Sequence, residues 1–204
     1  NDENGIDLKG TGYVVISENT LLGPWTDSPG EAIVLHYGAN SIGVYNVAVI
    51  FNKIYNSASG VSVTMGNNID IIGNLIYNIK HDVGTYVLTG AAGWSPNPNT
   101  SGYAPGPAIH YRGFTGTARI VDNTLYNYDI GIQVPNNLGG TFKIHGNILA
   151  GRVNSSQGWD IFFSDSGEVS RVSMDYNLFS QGSNDIRIGW GSTTVRNLAY
   201  MQSI

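Results

Sequence analysis

Seven short segments hold most of the residues whose types and spacing suit chemistry. They read GIDLKG (5–10), AIVLHYG (32–38), GVSVTMG (60–66), AIHYRG (108–113), GIQVP (131–135), DIFFS (160–164) and DIRIG (185–189). Each opens on a small or polar residue, then alternates, and often ends on Gly, so successive side chains point to opposite faces of a strand. With Ile6 and Leu8 turned inward, Asp7 and Lys9 turn outward. Overlaid segment by segment, the first outward position reads Asp7, Val34, Ser62, His110, Gln133, Phe162 and Arg187. The second reads Lys9, His36, Thr64, Arg112, Pro135, Ser164 and Gly189. If the segments stack, Lys9 and His36 lie about 5 Å apart and His36 and Arg112 about 10 Å apart, backbone to backbone. Two of the 4 histidines and two of the 10 Lys and Arg thus meet on one face of a chain poor in charge. Cations in that arrangement can hold an anionic group, and a histidine among them can move a proton.

The element that must position them is a second repeat. In NNIDIIGNLIYN (67–78), Ile69 and Ile71 precede Asn74 and Ile76 follows it. The same frame fits Val14, Ile16, Asn19, Leu21; Val47, Val49, Asn52, Ile54; Ala118, Ile120, Asn123, Leu125; Phe142, Ile144, Asn147, Leu149; and, more loosely, Val172, Met174, Asn177, Phe179. The asparagines are 33, 22, 49, 24 and 30 residues apart. Apolar residues two apart followed by a polar one describe a short strand and then a bend. Repetition of that unit is the mark of a solenoid, and the shortest spacing fits one minimal turn of a parallel β-helix. Stacked at about 4.8 Å, the six asparagines would form a ladder of amide hydrogen bonds, which gives them a structural task.

Composition agrees. The 204 residues, 41% hydrophobic, suit one all-β domain over 1–204, and 27 glycines suit a chain that bends at every turn. A net charge of −5 with no basic stripe disfavours nucleic acid, and no apolar run is long enough to cross a bilayer. Absence of cysteine removes disulfides and thiolate metal sites. The chain opens in polar NDEN directly before a strand, which reads as a mature chain or a fragment of a longer one. The one large interruption is the inserted loop 79–107, where the Pro- and Asn-rich SPNPNTSGYAPGP argues against regular structure. It and the shorter inserts at 24–31 and 152–159 all fall between an asparagine strand and the next outward-facing strand, so they should overhang one side. After 184 the pattern fades, as Thr194 stands where an apolar residue is expected before Asn197.

The repeat, in VVISENTLLG and IDIIGNLIYN and over nearly the whole chain, resembles the right-handed parallel β-helix of the pectate-lyase-like superfamily. The resemblance implies about seven turns and a polysaccharide ligand. The paired aspartates, Gly-His-Gly and Arg-Ile-Lys of the polygalacturonase type are not matched; IRIG (186–189) is a faint echo. Lyases of the superfamily abstract the C5 proton of a uronic-acid unit with Lys, Arg or His and often neutralise its carboxylate with Ca²⁺. By analogy, Lys9 or His110 is the candidate base, with His36 and Arg112 on the substrate carboxylate. Asp7, Glu3 and Glu31 are the candidate Ca²⁺ ligands. Trp94, Tyr103 and Tyr86 of the insert, with Arg187, are candidates for substrate binding. The expectation is a secreted, bacterial-type, monomeric polysaccharide lyase acting on a uronic-acid polymer. Its rivals are a non-catalytic carbohydrate-binding or adhesin module and part of a trimeric phage tailspike.

Each candidate also has an ordinary reading. Lys9 and Asp7 can be a solvated ion pair. His36 and His110 can be incidental exposed strand residues, and Arg112 can hold loop carbonyls. The aromatic side chains of the insert can simply pack it down.

Overall fold

The computed structural model describes residues 4–22, 31–39, 41–79, 86–88, 94–96, 106–134, 139–153, 158–164, 166–182, 185–191 and 193–195. Among the described residues it is all-β apart from a 3-10 turn, Ser166–Arg171. The first sheet runs through Ile6–Lys9, Glu31–His36, Ser59–Val63, Pro107–Tyr111, Ile130–Val134, Trp159–Phe163, Ile188–Trp190 and Thr193–Val195. The second comprises Gly12–Ser17, Val44–Ile50, Gly66–Ile72, Phe114–Val121, Thr141–His145 and Val172–Asp175. The third comprises Thr20–Leu22, Lys53–Ser57, Leu75–Ile79, Thr124–Tyr128, Ile148–Ala150 and Leu178–Ser180. The chain visits the three in rotation, and neighbours within each sheet are parallel until the last strand of the first. This stacked, solenoid-like arrangement is compatible with a parallel β-helix.

The core follows from the period-two pattern. Ile6, Ile33 and Val61 are in register, as are Val61, Ile109 and Ile132, then Ile132, Ile161 and Ile188. In the second sheet Ile16, Val49, Ile71, Ile120, Ile144 and Met174 line up. Identical turns thus place like beside like, and the interior fills with aliphatic columns. Toward the far end it becomes aromatic: Tyr111, Phe114, Phe142, Phe163 and Trp190 touch in sequence, Phe163 and Trp190 face to face at 5.5 Å.

Two details of local sequence make the turns possible. The residue before each repeat asparagine (Glu18, Phe51, Gly73, Asp122, Gly146, Tyr176) has a φ between 55° and 67°, the left-handed kink that takes the chain from second sheet to third. Each asparagine Nδ2 then donates to the Oδ1 of the next, at 2.9–3.0 Å, from Asn19 through Asn52, Asn74, Asn123 and Asn147 to Asn177. The same oxygens accept the backbone N–H of the preceding turn's asparagine. Small residues open the first-sheet strands for a reason of space: a Cβ on Gly60 would lie 2.3 Å from the Ala108 carbonyl, and one on Gly131 2.5 Å from that of Asp160.

The expectation for the insert needs one correction. Tyr86–Leu88 and Trp94–Pro96 pair as an antiparallel ladder, so Ser95 and Pro96 do not exclude regular structure there. At the other end, Thr193–Val195 turns back antiparallel on Ile188–Trp190, which is where the repeat pattern fades.

Candidate functional site

The outer face of the first sheet carries two groups of polar side chains. In the first, Lys9 and His36 are Cα partners across adjacent strands. Both reach Asp7: Lys9 Nζ is 3.0 Å from one carboxylate oxygen and His36 Nε2 2.7 Å from the other. The side chains of Asp7 and His36 are about a quarter exposed and that of Lys9 more than half. A carboxylate that accepts from Nε2 fixes the proton there and leaves Nδ1 as the lone-pair nitrogen. Nδ1 of His36 meets no donor among the described residues.

In the second group Glu31 and His110 are buried and Arg112 is partly so. Arg112 donates from one terminal nitrogen to Glu31, 2.8 Å, and from Nε to Nδ1 of His110, 3.3 Å. Burial pushes the Glu31 carboxyl above its usual range, against the pull of Arg112, of the neighbouring Ser62 and of His36. His110 is fully buried, and burial together with the Arg112 charge holds its pKa well below 6.5. A guanidinium can only donate, so His110 is neutral with its proton on Nε2, and that N–H has no acceptor among the described residues.

Here the structure departs from the sequence reading. His110 is not an exposed strand residue, because the outer positions of its neighbours, Val34, Ser62 and Gln133, are buried with it. Arg112 is tied to Glu31 and His110 rather than free to meet a substrate. Arg187 does not occupy the outer column. Phe162 pairs with Gly189, two residues further on, because Trp190 stacks on Phe163 in the core and sets the register. Arg187 instead sits at the strand opening beside Asp160, with its guanidinium 4.0 Å over the Trp159 ring. Lys9, Asp7 and His36 are brought together as expected. Glu3 and Tyr103 lie outside the described residues, and Tyr86 and Trp94 are described in backbone only.

The proposed Ca²⁺ donors do not suit the ion as arranged. Both oxygens of Asp7 are taken by Lys9 and His36, and Glu31 is taken by Arg112. Among the described residues no three His, Asp or Glu side chains converge to hold a metal.

Three arrangements were not foreseen. Asp160 is fully buried where the five preceding first-sheet segments open on Gly or Ala. It accepts from Arg152 at 2.7 Å, Tyr128 at 2.8 Å, Gln181 at 2.7 Å and the Arg187 backbone at 2.7 Å. Its burial pushes the carboxyl up, with Arg152 opposing. A second set of asparagines, Asn56, Asn78 and Asn127, is joined by side-chain hydrogen bonds, each residue at a φ of 53–54°. Each stands four residues after a repeat asparagine, so an Asn-x-x-x-Asn spacing would have found it. On the third sheet Tyr55 and Tyr77 stack at 5.1 Å beneath Lys53.

Compared with protein-family models, curated proteins and solved structures, the chain matches none.

Proposed function

We propose that the chain is a right-handed parallel β-helix of the pectate-lyase-like kind, with about seven turns and the six repeat asparagines as its ladder. Its reaction is β-elimination on a uronic-acid-containing polysaccharide, outside the cell and as a monomer. The observation that carries this reading is the Lys9–Asp7–His36 cluster, the partly exposed polar group on the outer face of the first sheet.

Each member has a role that follows from its partners. Asp7 holds the imidazole by Nε2 and leaves the lone pair on Nδ1, so His36 is the base that takes the C5 proton. Lys9 is the cation that holds the uronate carboxylate and stabilises the charge that builds on it as the proton leaves. The electrons of the C5–H bond form the C4–C5 double bond, the C4–O bond breaks, and the departing oxygen takes a proton from His36 or water. Neutralisation of the carboxylate falls to Lys9, since the nearby carboxylates are already engaged by cations. Glu31, Arg112 and His110 form the buried support beneath this face.

The test is the ultraviolet absorbance of the unsaturated product, followed over a panel of uronic-acid polymers with Ca²⁺ and with chelator. The expected result is a rise on at least one polymer that survives chelator, is abolished by His36→Gln and is strongly reduced by Lys9→Met. A flat trace on every polymer sinks the elimination reading. A rise lost in chelator sinks the assignment of carboxylate neutralisation to Lys9.

A further inference from the structure

A second surface lies on the outer face of the second sheet, away from the Lys9–Asp7–His36 cluster. It is a concave patch of about 470 Å³, floored by Val15, Ala48, Asp70 and Arg119 and walled by Tyr13, Asn46, Asn68 and Thr117. Its floor is one outward column of the sheet: Val15, Ala48, Asp70 and Arg119 are successive Cα partners.

Three features set it apart from a solvated strand face. First, Tyr13 is 79% exposed and has a φ of 59°. Register puts it in line with Asn46 at 50° and Asn68 at 54°, residues that tolerate this left-handed region, whereas a bulky aromatic adopts it under strain. Second, the ring is held at the lip by an edge contact, 5.4 Å and nearly perpendicular, with Tyr45, whose own ring lies over Gly12. Third, Arg119 and Asp70 form a paired, two-armed contact, with Nε 2.7 Å from Oδ1 and a second hydrogen bond beside it. That pair cancels its own charge while leaving the half-exposed guanidinium edge and the carboxylate lone pairs open to the patch.

We propose that this patch is a binding site for a neutral saccharide. The exposed Tyr13 ring offers a face to the C–H side of a sugar ring. Asn68 Nδ2 donates to Asn46 Oδ1 at 3.2 Å and Asn68 Oδ1 accepts the Thr117 N–H at 3.1 Å. What the patch offers a ligand is therefore the Asn46 Nδ2 and the outer lone pairs of these amides, beside the Asp70–Arg119 pair, as vicinal hydroxyls require. Internal cancellation of charge selects a ligand without a carboxylate, unlike the substrate of the first-sheet site. The site stands independently of the elimination reading.

The experiment is calorimetric titration of the whole chain with neutral oligosaccharides of glucose, mannose, galactose and xylose, and with a uronic-acid oligosaccharide. At least one neutral oligosaccharide is expected to bind, with Tyr13→Ala and Arg119→Ala each weakening it about tenfold, the scale of one lost stacking or two-armed contact. His36→Gln should bind it unchanged. Binding of no neutral sugar, indifference to Tyr13→Ala and Arg119→Ala, or loss in His36→Gln each overturns the proposal. So does wild-type self-association that Tyr13→Ala abolishes, which would make the patch a subunit interface. Neutral binding without elimination on any polymer would leave this site standing and remove the lyase; elimination without neutral binding would do the reverse.

Discussion

Two buried tyrosines should respond with opposite signs to the same substitution. Tyr111 is fully buried among Phe114 and Phe142, with ring centroids 5.2 and 5.3 Å away, and its hydroxyl has no hydrogen-bond partner among the described residues. A buried hydroxyl without a partner costs about 1–3 kcal/mol. Tyr111→Phe removes that cost and keeps the ring contacts. The void left by one oxygen, on the order of 10 Å³, returns only about 0.2 kcal/mol of the gain. The expected result is a protein more stable by about 1 kcal/mol, or some 2–4 °C in Tm for a chain of this size. Tyr128 is equally buried, but its hydroxyl donates to Asp160 at 2.8 Å and accepts from Gln181 at 2.9 Å. Tyr128→Phe strips a donor from a buried carboxylate and should destabilise by about 1.5–3 kcal/mol. The assay is equilibrium urea unfolding followed by circular dichroism and by tryptophan fluorescence, with coincident transitions as the condition for comparison. If Tyr111→Phe is destabilising, its hydroxyl has a partner in solution and the reasoning fails. If Tyr128→Phe is neutral, the Asp160 network contributes nothing net.

Asn74→Ala should cost about 3 kcal/mol or more, because it takes the acceptor from the Asn52 backbone N–H and the side-chain donor from the Val49 and Ile72 carbonyls and Asn123 Oδ1, all in a buried column. Asn19→Ala, at the exposed end, should cost less than about 1 kcal/mol. Equal losses in urea unfolding would show that the column does not act through burial. His110 should stay neutral with its proton on Nε2 well below pH 6.5, read from its ring nitrogen shifts. Because its folded pKa is depressed, the unfolded chain takes up a proton first as pH drops below 6.5, so stability should fall with falling pH until the folded pKa is reached. His110→Gln should remove that part of the slope; an unchanged slope would assign it elsewhere. Gly60→Ala, whose Cβ meets backbone 2.3 Å away, should cost about 3 kcal/mol or more. Gly182→Ala, with open space and a φ of 60°, should cost about 1 kcal/mol in the same assay, and a reversed order would refute the spacing argument.

The strand pattern was legible in the sequence because it is local. Alternation in IDLK and the Ile-x-Ile-x-x-Asn frame report which side chains face in, and repetition at minimal spacing forces like onto like, so parallel sheets and aliphatic columns follow from neighbours in the chain. The glycines opening GIDLKG, GVSVTMG and GIQVP were visible as a regularity, and the carbonyl each one faces on the next turn explains it. The meeting of Asp7, Lys9 and His36 was also within reach, since it needs only one turn stacked on the next. What tertiary structure decided depends on contacts between distant segments. Alternation turns His110 outward, but only the packing of the whole face makes an outward position buried. The register of Ile188–Trp190 rests on Trp190 stacking against Phe163, and that contact moved Arg187 out of the row it was expected to share with Phe162. The exposed Tyr13 beside the Asp70–Arg119 pair joins residues 57 and 49 positions apart; only stacked turns bring side chains so distant in the chain onto one surface.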